Sequence, residues 1–191
     1  MSVENRTETH WYVLRDLKRP NSKSPAYKVL QEIPSVKVFV PLKQQIFQEF
    51  GKRVIRWIPF MPDLLFVYGN QEQLQPIMQR IDRLQFRYVR GKQHEPMTIA
   101  DLAMDNFIRA VELSDRVEYY TLDEVSAHLY GKQIRIIGGC LNGLTGRLMT
   151  KRGSRVKRLI IELEACNLAA AIQIEPEYIQ LLNDEHKRME A

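Results

Sequence analysis

Cysteine is scarce. Cys140 and Cys166 are the only two thiols in 191 residues, and they lie far apart, with no CxxC spacing and no histidine cluster nearby. That argues against a disulfide framework, a structural zinc or a redox pair, and both are read as buried thiols. Long apolar runs are missing too. No window holds about 18 uninterrupted apolar residues, and the polar segment from Met1 to His10 has no signal-peptide core. A cytoplasmic protein with no membrane contact is therefore expected.

Catalytic signatures are equally sparse. His10, His94, His128 and His186 are scattered, no Ser occupies a Gly-x-Ser-x-Gly elbow, and Gly138-Gly139 is followed by neither GxGxxG nor GK[ST]. Asp101 and Asp105 share a face of an expected helix, where carboxylates are ordinarily solvated. With no nucleophile, base and orienting group in one place, the expectation is a protein that is not an enzyme, with no cofactor and no metal site.

What is present is an ordinary globular composition, 45% apolar and 27% charged, with net charge +5. The charge is unevenly spread. Residues 1–110 carry 17 basic against 11 acidic side chains, residues 111–130 carry 1 against 5, and residues 131–182 carry 8 against 4. Two basic blocks around an acidic one suggest two domains and a connector, each domain able to approach a polyanion.

The most concentrated apolar run of the first hundred residues is Leu64-Leu65-Phe66-Val67-Tyr68, introduced by Pro59 and Pro62. It reads as a central strand apolar on both faces, so both must be covered. On the residues alone, Leu64 and Phe66 can fill a core or face a partner. His10 to Leu14 reads as a first strand. Ser24 as N-cap and Pro25 at the first helical position open a helix with the stripe Ala26, Val29, Leu30 and Ile33, stopped by Pro34.

Val36, Val38 and Val40 alternate, and Ile46–Phe50 and Arg53–Ile58 form a hairpin around Gly51 with a charged tip. Leu74, Ile77, Met78 and Ile81 mark a second helix, in which Pro76 is tolerable only in the first turn. Arg80, Arg83, Arg87, Arg90 and Lys92 cluster around its end and a strand over 86–89. Thr98 and Asp101 have capping-box spacing for a third helix that buries Met104 and Phe107, and Thr121 and Glu124 have it for a short helix in the acidic connector. The last block alternates β-like segments with closely spaced glycines, the pattern of a small barrel. Its basic residues Lys151, Arg152, Arg155, Lys157 and Arg158 flank a hairpin tip at Gly153 and read as a solubilising face.

The expected organisation is α+β: an antiparallel sheet with three helices over residues 1–112, an acidic connector over 113–130, a small all-β barrel over 131–182 and a charged tail over 183–191.

Two segments together carry a resemblance. Gly131 to Leu148, with Gly139, Gly143, Leu144 and Gly146 in place, looks like a KOW motif, with Cys140 at a position that is often Pro. Trp11-Tyr12-Val13, Val38-Phe39-Val40-Pro41 and the stretch from Phe60-Met61-Pro62 to Phe66-Val67 are similar to the N-terminal domain of NusG-type transcription elongation factors. The resemblance covers nearly the whole chain. It implies an N-terminal domain that docks on the largest subunit of RNA polymerase through a hydrophobic patch here made of Met61, Leu64, Phe66 and Tyr68. It also implies basic positions near the non-template DNA strand, matched here to Lys18, Arg19, Lys23, Arg80 and Arg83, and a KOW domain that recruits a further factor such as Rho or a ribosomal protein.

Met61, Asp63 and Leu64 depart from the family's usual residues and point to a specialised, operon-specific paralogue of the polysaccharide-locus antiterminator type. The function expected is elongation or antitermination by a monomer. The alternative is an RNA-binding or ribosome-associated KOW protein.

Overall fold

A computed structural model of the chain describes residues 8–17, 25–126, 131–150, 155–174 and 179–182. It is a mixed α+β protein, rich in sheet, and it divides into two compact units, residues 1–101 and 102–191.

The first unit is built on an antiparallel sheet. Strand β1 (His10–Asp16) lies between β5 (Leu64–Gly69) and β6 (Leu84–Phe86), β2 (Lys37–Phe39) flanks β5, and the short β7 (Thr98–Ile99) also pairs with β1. β5 is thus central, as its apolar run requires. The register sets Trp11 opposite Tyr68, Val13 opposite Phe66, and Leu14 opposite Leu65. Side chains alternate across the sheet. One face therefore carries Tyr12, Leu14, Leu65 and Val67, which form a core with Ala26 and Leu30 of helix α1 (Ala26–Gln31) and Leu74 of helix α2 (Gln71–Arg80). The other face carries Trp11, Val13, Leu64, Phe66 and Ile99, all buried. The remaining strands, β3 (Leu42–Glu49) and β4 (Lys52–Pro59), form a separate two-stranded ribbon.

Local chemistry departs from the expected signals at three places. Ser24 lies outside the described residues, and α1 starts with no side-chain cap from Pro25. Its Ala26 N–H instead donates to Asp16 Oδ2, 2.7 Å away at the end of β1. In α2, Asn70 and Gln73 close a reciprocal capping box, which places Pro76 inside the helix rather than in its first turn, at the cost of one backbone hydrogen bond. Helix α3 (Asp101–Glu112) begins three residues after Thr98, because Thr98 and Ile99 pair with Tyr12 and Trp11 instead.

The second unit holds α3, whose Met104, Phe107 and Ala110 are buried, and one antiparallel sheet. Its strands are β8 (Val117–Tyr120), β9 (Gln133–Ile136), β10 (Thr145–Thr150), β11 (Lys157–Leu163), β12 (Leu168–Ile174) and β13 (Ile179–Leu181), in the spatial order β13-β9-β10-β11-β12-β8. Two expectations change here. The sheet is open among the described residues, with β13 and β8 at its edges, rather than closed into a barrel. The acidic segment after residue 112 also supplies a strand, since β8 pairs with β12 from Ala169↔Tyr120 to Ile172↔Val117.

The short helix of that segment is present as α4 (Leu122–Ser126), where the Thr121 N–H donates to Glu124 Oε2 at 2.7 Å. α4 is seated by Val125, which packs with Met149, Ile160, Ala169 and Ala171. The Leu122 N–H donates to Asn167 Oδ1 at 3.0 Å, with Asn167 in the left-handed conformation that Asn tolerates.

β8 carries two shifted phenols. Burial pushes the Tyr119 hydroxyl up to about 12. Burial does the same for Tyr120, helped by its hydrogen bond to Glu118, and it too reaches about 12. Glu118 in turn accepts from Arg158 Nη2 at 2.8 Å, tying β8 to β11. A phenol that ionises later in the folded than in the unfolded chain lends stability that is whole below the ordinary value of 10 and is lost as pH rises toward the folded value. An alkaline absorbance titration should therefore find these two among the last tyrosines to ionise, with stability falling between about pH 10 and 12. Replacing both by Phe should flatten that fall.

Candidate functional site

The four residues expected to form the polymerase-facing patch do not share a surface. Leu64 is 2% exposed and Phe66 0%. This corrects the expectation of a partner-facing pair: both are core residues of β5, with Phe66 against the Phe39 ring at a centroid distance of 6.2 Å. Phe66→Ala would consequently cost stability, about 3–5 kcal/mol, before it could report on docking. Met61 and Tyr68 remain partly exposed. Met61 belongs to the turn before β5, where its carbonyl accepts from the Leu64 N–H at 3.2 Å. Tyr68 lies against Trp11, with ring centroids 5.4 Å apart.

The basic set also separates. Lys18, Arg19 and Lys23 lie outside the described residues. Arg80 is exposed at the end of α2 and lines, with Tyr68, a groove of about 530 Å³ floored by Val29, Ile33, Ile77 and Ile81. A member of each expected set therefore meets in one place.

Arg83 does something else. Its Nε lies 3.3 Å from Asp16 Oδ1, and the guanidinium is one-quarter exposed while Asp16 is 5% exposed. Asp16 thus joins three elements: it belongs to β1, accepts from the first N–H of α1, and pairs with the residue preceding β6. A buried carboxylate needs such partners to offset its desolvation. Arg83 is structural in this arrangement, a role the basic cluster concealed. Asp16 was missed although its position gives it away, since it continues the inward alternation Tyr12, Leu14.

The motif residues of the second unit meet backbone demands. Between β9 and β10 the chain closes a loop in which the Gly143 N–H donates to the Ile136 carbonyl and the Ile136 N–H to the Leu144 carbonyl, each at 2.8 Å. Gly139 and Gly143 have φ of +66° and +85°, values that glycine adopts freely and that cost most other residues strain. Leu144 is fully buried. Gly146 is required for a different reason: a Cβ there would stand 2.2 Å from the Ile160 carbonyl oxygen of the neighbouring strand.

The loop apex is held by Arg109 of α3, whose Nη2 donates to the Cys140 carbonyl at 3.0 Å. Cys140 itself is exposed, against expectation, because the apex turns its side chain outward; Cys166 is buried as expected. Among the described residues, no group of His, Cys, Asp and Glu is placed to hold a metal ion, and no helix is long and apolar enough to cross a membrane.

Two stability measurements check these assignments. Asp16→Ala, which removes the acceptor of the Ala26 N–H and the ion-pair partner of Arg83 Nε, should lower the free energy of urea unfolding by about 2 kcal/mol; a loss below about 0.5 kcal/mol would remove Asp16 from its role. In the motif, Gly139→Ala should cost roughly 1–2 kcal/mol through its backbone angle alone. Gly146→Ala should cost clearly more, because its methyl group meets backbone rather than open space, and equal losses would contradict the close approach.

A scan against models of protein families matches none of them, and no curated protein matches the chain, so what the protein does is argued from its own residues.

Proposed function

We propose that this chain is a transcription elongation or antitermination factor of NusG type. It docks on the largest subunit of RNA polymerase through its first unit, lies near the non-template DNA strand, and recruits another factor, such as Rho or a ribosomal protein, through its second. The observation that carries the reading is the fit between motif and backbone in the second unit. The glycines occupy positions that demand glycine, Leu144 is the buried anchor, and the loop they build is an exposed feature held at its apex by Arg109. The mixed sheet and helix of the first unit, with β5 at its centre, supports the same reading.

With Leu64 and Phe66 in the core, the members of the patch left to a partner are Met61, in the turn before β5, and Tyr68, near the other end of that strand in the apolar groove it shares with Arg80. Exposed apolar anchors of this kind are each worth on the order of 2 kcal/mol at the centre of a packed interface. The specialised, operon-specific role rests on the residues that differ from the family's usual patch and remain accessible, Met61 and Asp63.

Gel filtration of the full chain with purified core RNA polymerase tests the proposal. The expected result is co-elution that is lost in Met61→Asp and weakened at least about tenfold in Tyr68→Ala, with both variants folded by circular dichroism. A wild-type chain that does not co-elute with polymerase but binds ribosomal RNA with a steep salt dependence would favour the alternative, an RNA-binding or ribosome-associated protein.

A further inference from the structure

The β3–β4 ribbon leaves one of its faces uncovered. Its eight residue pairs run from Leu42↔Pro59 to Glu49↔Lys52, and among the described residues it joins no other sheet. The register sorts its side chains into two faces. One is satisfied internally: Arg56 pairs with Glu49 at 2.6 Å and stands over the Phe47 ring at 5.6 Å, and Lys43 stands over Phe60 at 5.2 Å.

The other face is a row of cross-strand pairs, Leu42↔Pro59, Gln44↔Trp57, Ile46↔Ile55 and Gln48↔Arg53. Ile46 and Ile55 are each 62% exposed and Trp57 60%. Arg53 is the one charged residue in the row, and among the described residues it has no ion-pair partner. Phe50 follows at the tip, fully exposed at a φ of +49°, a conformation to which a bulky aromatic is poorly suited. A contiguous apolar strip of this kind, rimmed by amides, marks a protein contact.

We propose that this face is covered by the same face of a second copy of the chain, in a weak and reversible dimer. The order of the pairs is what selects a second copy. With a two-fold axis between two such ribbons, running across the strands at Ile46↔Ile55, each β4 lies antiparallel on the partner's β4. Ile46 and Ile55 then meet their own counterparts at the centre. Two residues to one side, Arg53 comes over the partner's Trp57, so the one cation of the row is set against its one aromatic ring, a cation–π pairing made twice in the dimer. Gln48 meets the partner's Gln44, amide to amide. The tip residue Phe50, four positions from Ile46, falls over the partner's Leu42↔Pro59 pair. An axis running along the strands would instead bring both Arg53 to the same end, against glutamines, and leave both Trp57 rings without a cation, so the register favours the antiparallel arrangement.

The size suits a transient contact. Ile46, Phe50, Ile55 and Trp57 of each copy, with the stems of Arg53 and the glutamines, would bury on the order of 1,000 Å² in all, at the low end of specific interfaces. A dissociation constant on the order of 10–100 μM follows from so small an area. The dimer replaces the monomer expected from the sequence, and it goes beyond the polymerase reading without resting on it.

Sedimentation of the full chain over a wide range of concentration tests it, with indole emission followed on dilution. Trp11 is buried, so a shift in emission reports Trp57. The expected result is a monomer–dimer equilibrium in the range above, with emission moving to shorter wavelength as the dimer forms. Dimer affinity should fall at least about tenfold in Trp57→Ala and roughly tenfold in Arg53→Gln. It should change by less than about threefold in Trp57→Phe and Arg53→Lys, with every variant folded by circular dichroism. Cross-linking in a Cys140→Ser background, which removes the exposed thiol, reads the geometry. Ile46→Cys, on the axis, should be joined to its own copy by a short bismaleimide, and Gln48→Cys, whose counterpart is the partner's Gln44, should not.

A chain that stays monomeric up to about 0.5 mM would overturn the proposal. So would a dimer that Trp57→Ala leaves intact, or one that cross-links at Gln48→Cys and not at Ile46→Cys. A monomer whose co-elution with polymerase is lost in Trp57→Ala would also overturn it, and would give the face to that partner.

Discussion

Antiparallel sheets usually keep one face for water, and their strands then alternate apolar with polar. β1 and β5 do not have that freedom. Their six-residue pairing places Tyr12, Leu14, Leu65 and Val67 on one side and Trp11, Val13, Leu64 and Phe66 on the other, and all eight are buried. Once both faces of the central pair must stay dry, the other elements of the first unit have little choice of position. α1 and α2 are held to one side by Ala26, Leu30 and Leu74, and polar chemistry is pushed to the strand ends, to the ribbon and to the helix termini. Every accessible candidate residue of this unit lies in one of those places.

This constraint explains what could be read in advance. The strand at Leu64 and its central position were legible because five consecutive apolar residues leave no wet face. The helix stripes and the hairpin at Gly51 were legible for the same reason of period. The exposure of Leu64 and Phe66 was not legible, since a strand apolar on both faces does not say whether its second cover belongs to the same chain. Nor was the role of Arg83. A basic residue in a basic cluster looks solvated, and only the fold shows that a carboxylate 67 positions earlier stands beside it. The start of α3 moved because Thr98 and Ile99 gain more from pairing with β1 than from capping, a tertiary preference overriding a local signal.

In the second unit the close spacing of glycines signalled sharp turns, and Gly139, Gly143 and Gly146 do stand where a positive φ or a close approach calls for glycine. The open edge of the sheet was not legible. β8 comes from a segment whose acidity suggested a tether, yet its alternation of Val117 and Tyr119 with Glu118 is that of a strand with one covered face. Its partner β12 presents Ala169, Ala170 and Ala171, all buried. Such small side chains let neighbouring elements approach closely on both sides, and α4 makes use of this by packing on Ala169 and Ala171.

The hydrogen bond from the Ala26 N–H to Asp16 reaches ten positions back along the chain. Helix α1 is thereby told where to begin by the strand before it and not by the residues leading into it. The same carboxylate meets Arg83 ahead of β6, so the end of one strand, the start of a helix and the entry to another strand share a single anchor and would loosen together if it were lost.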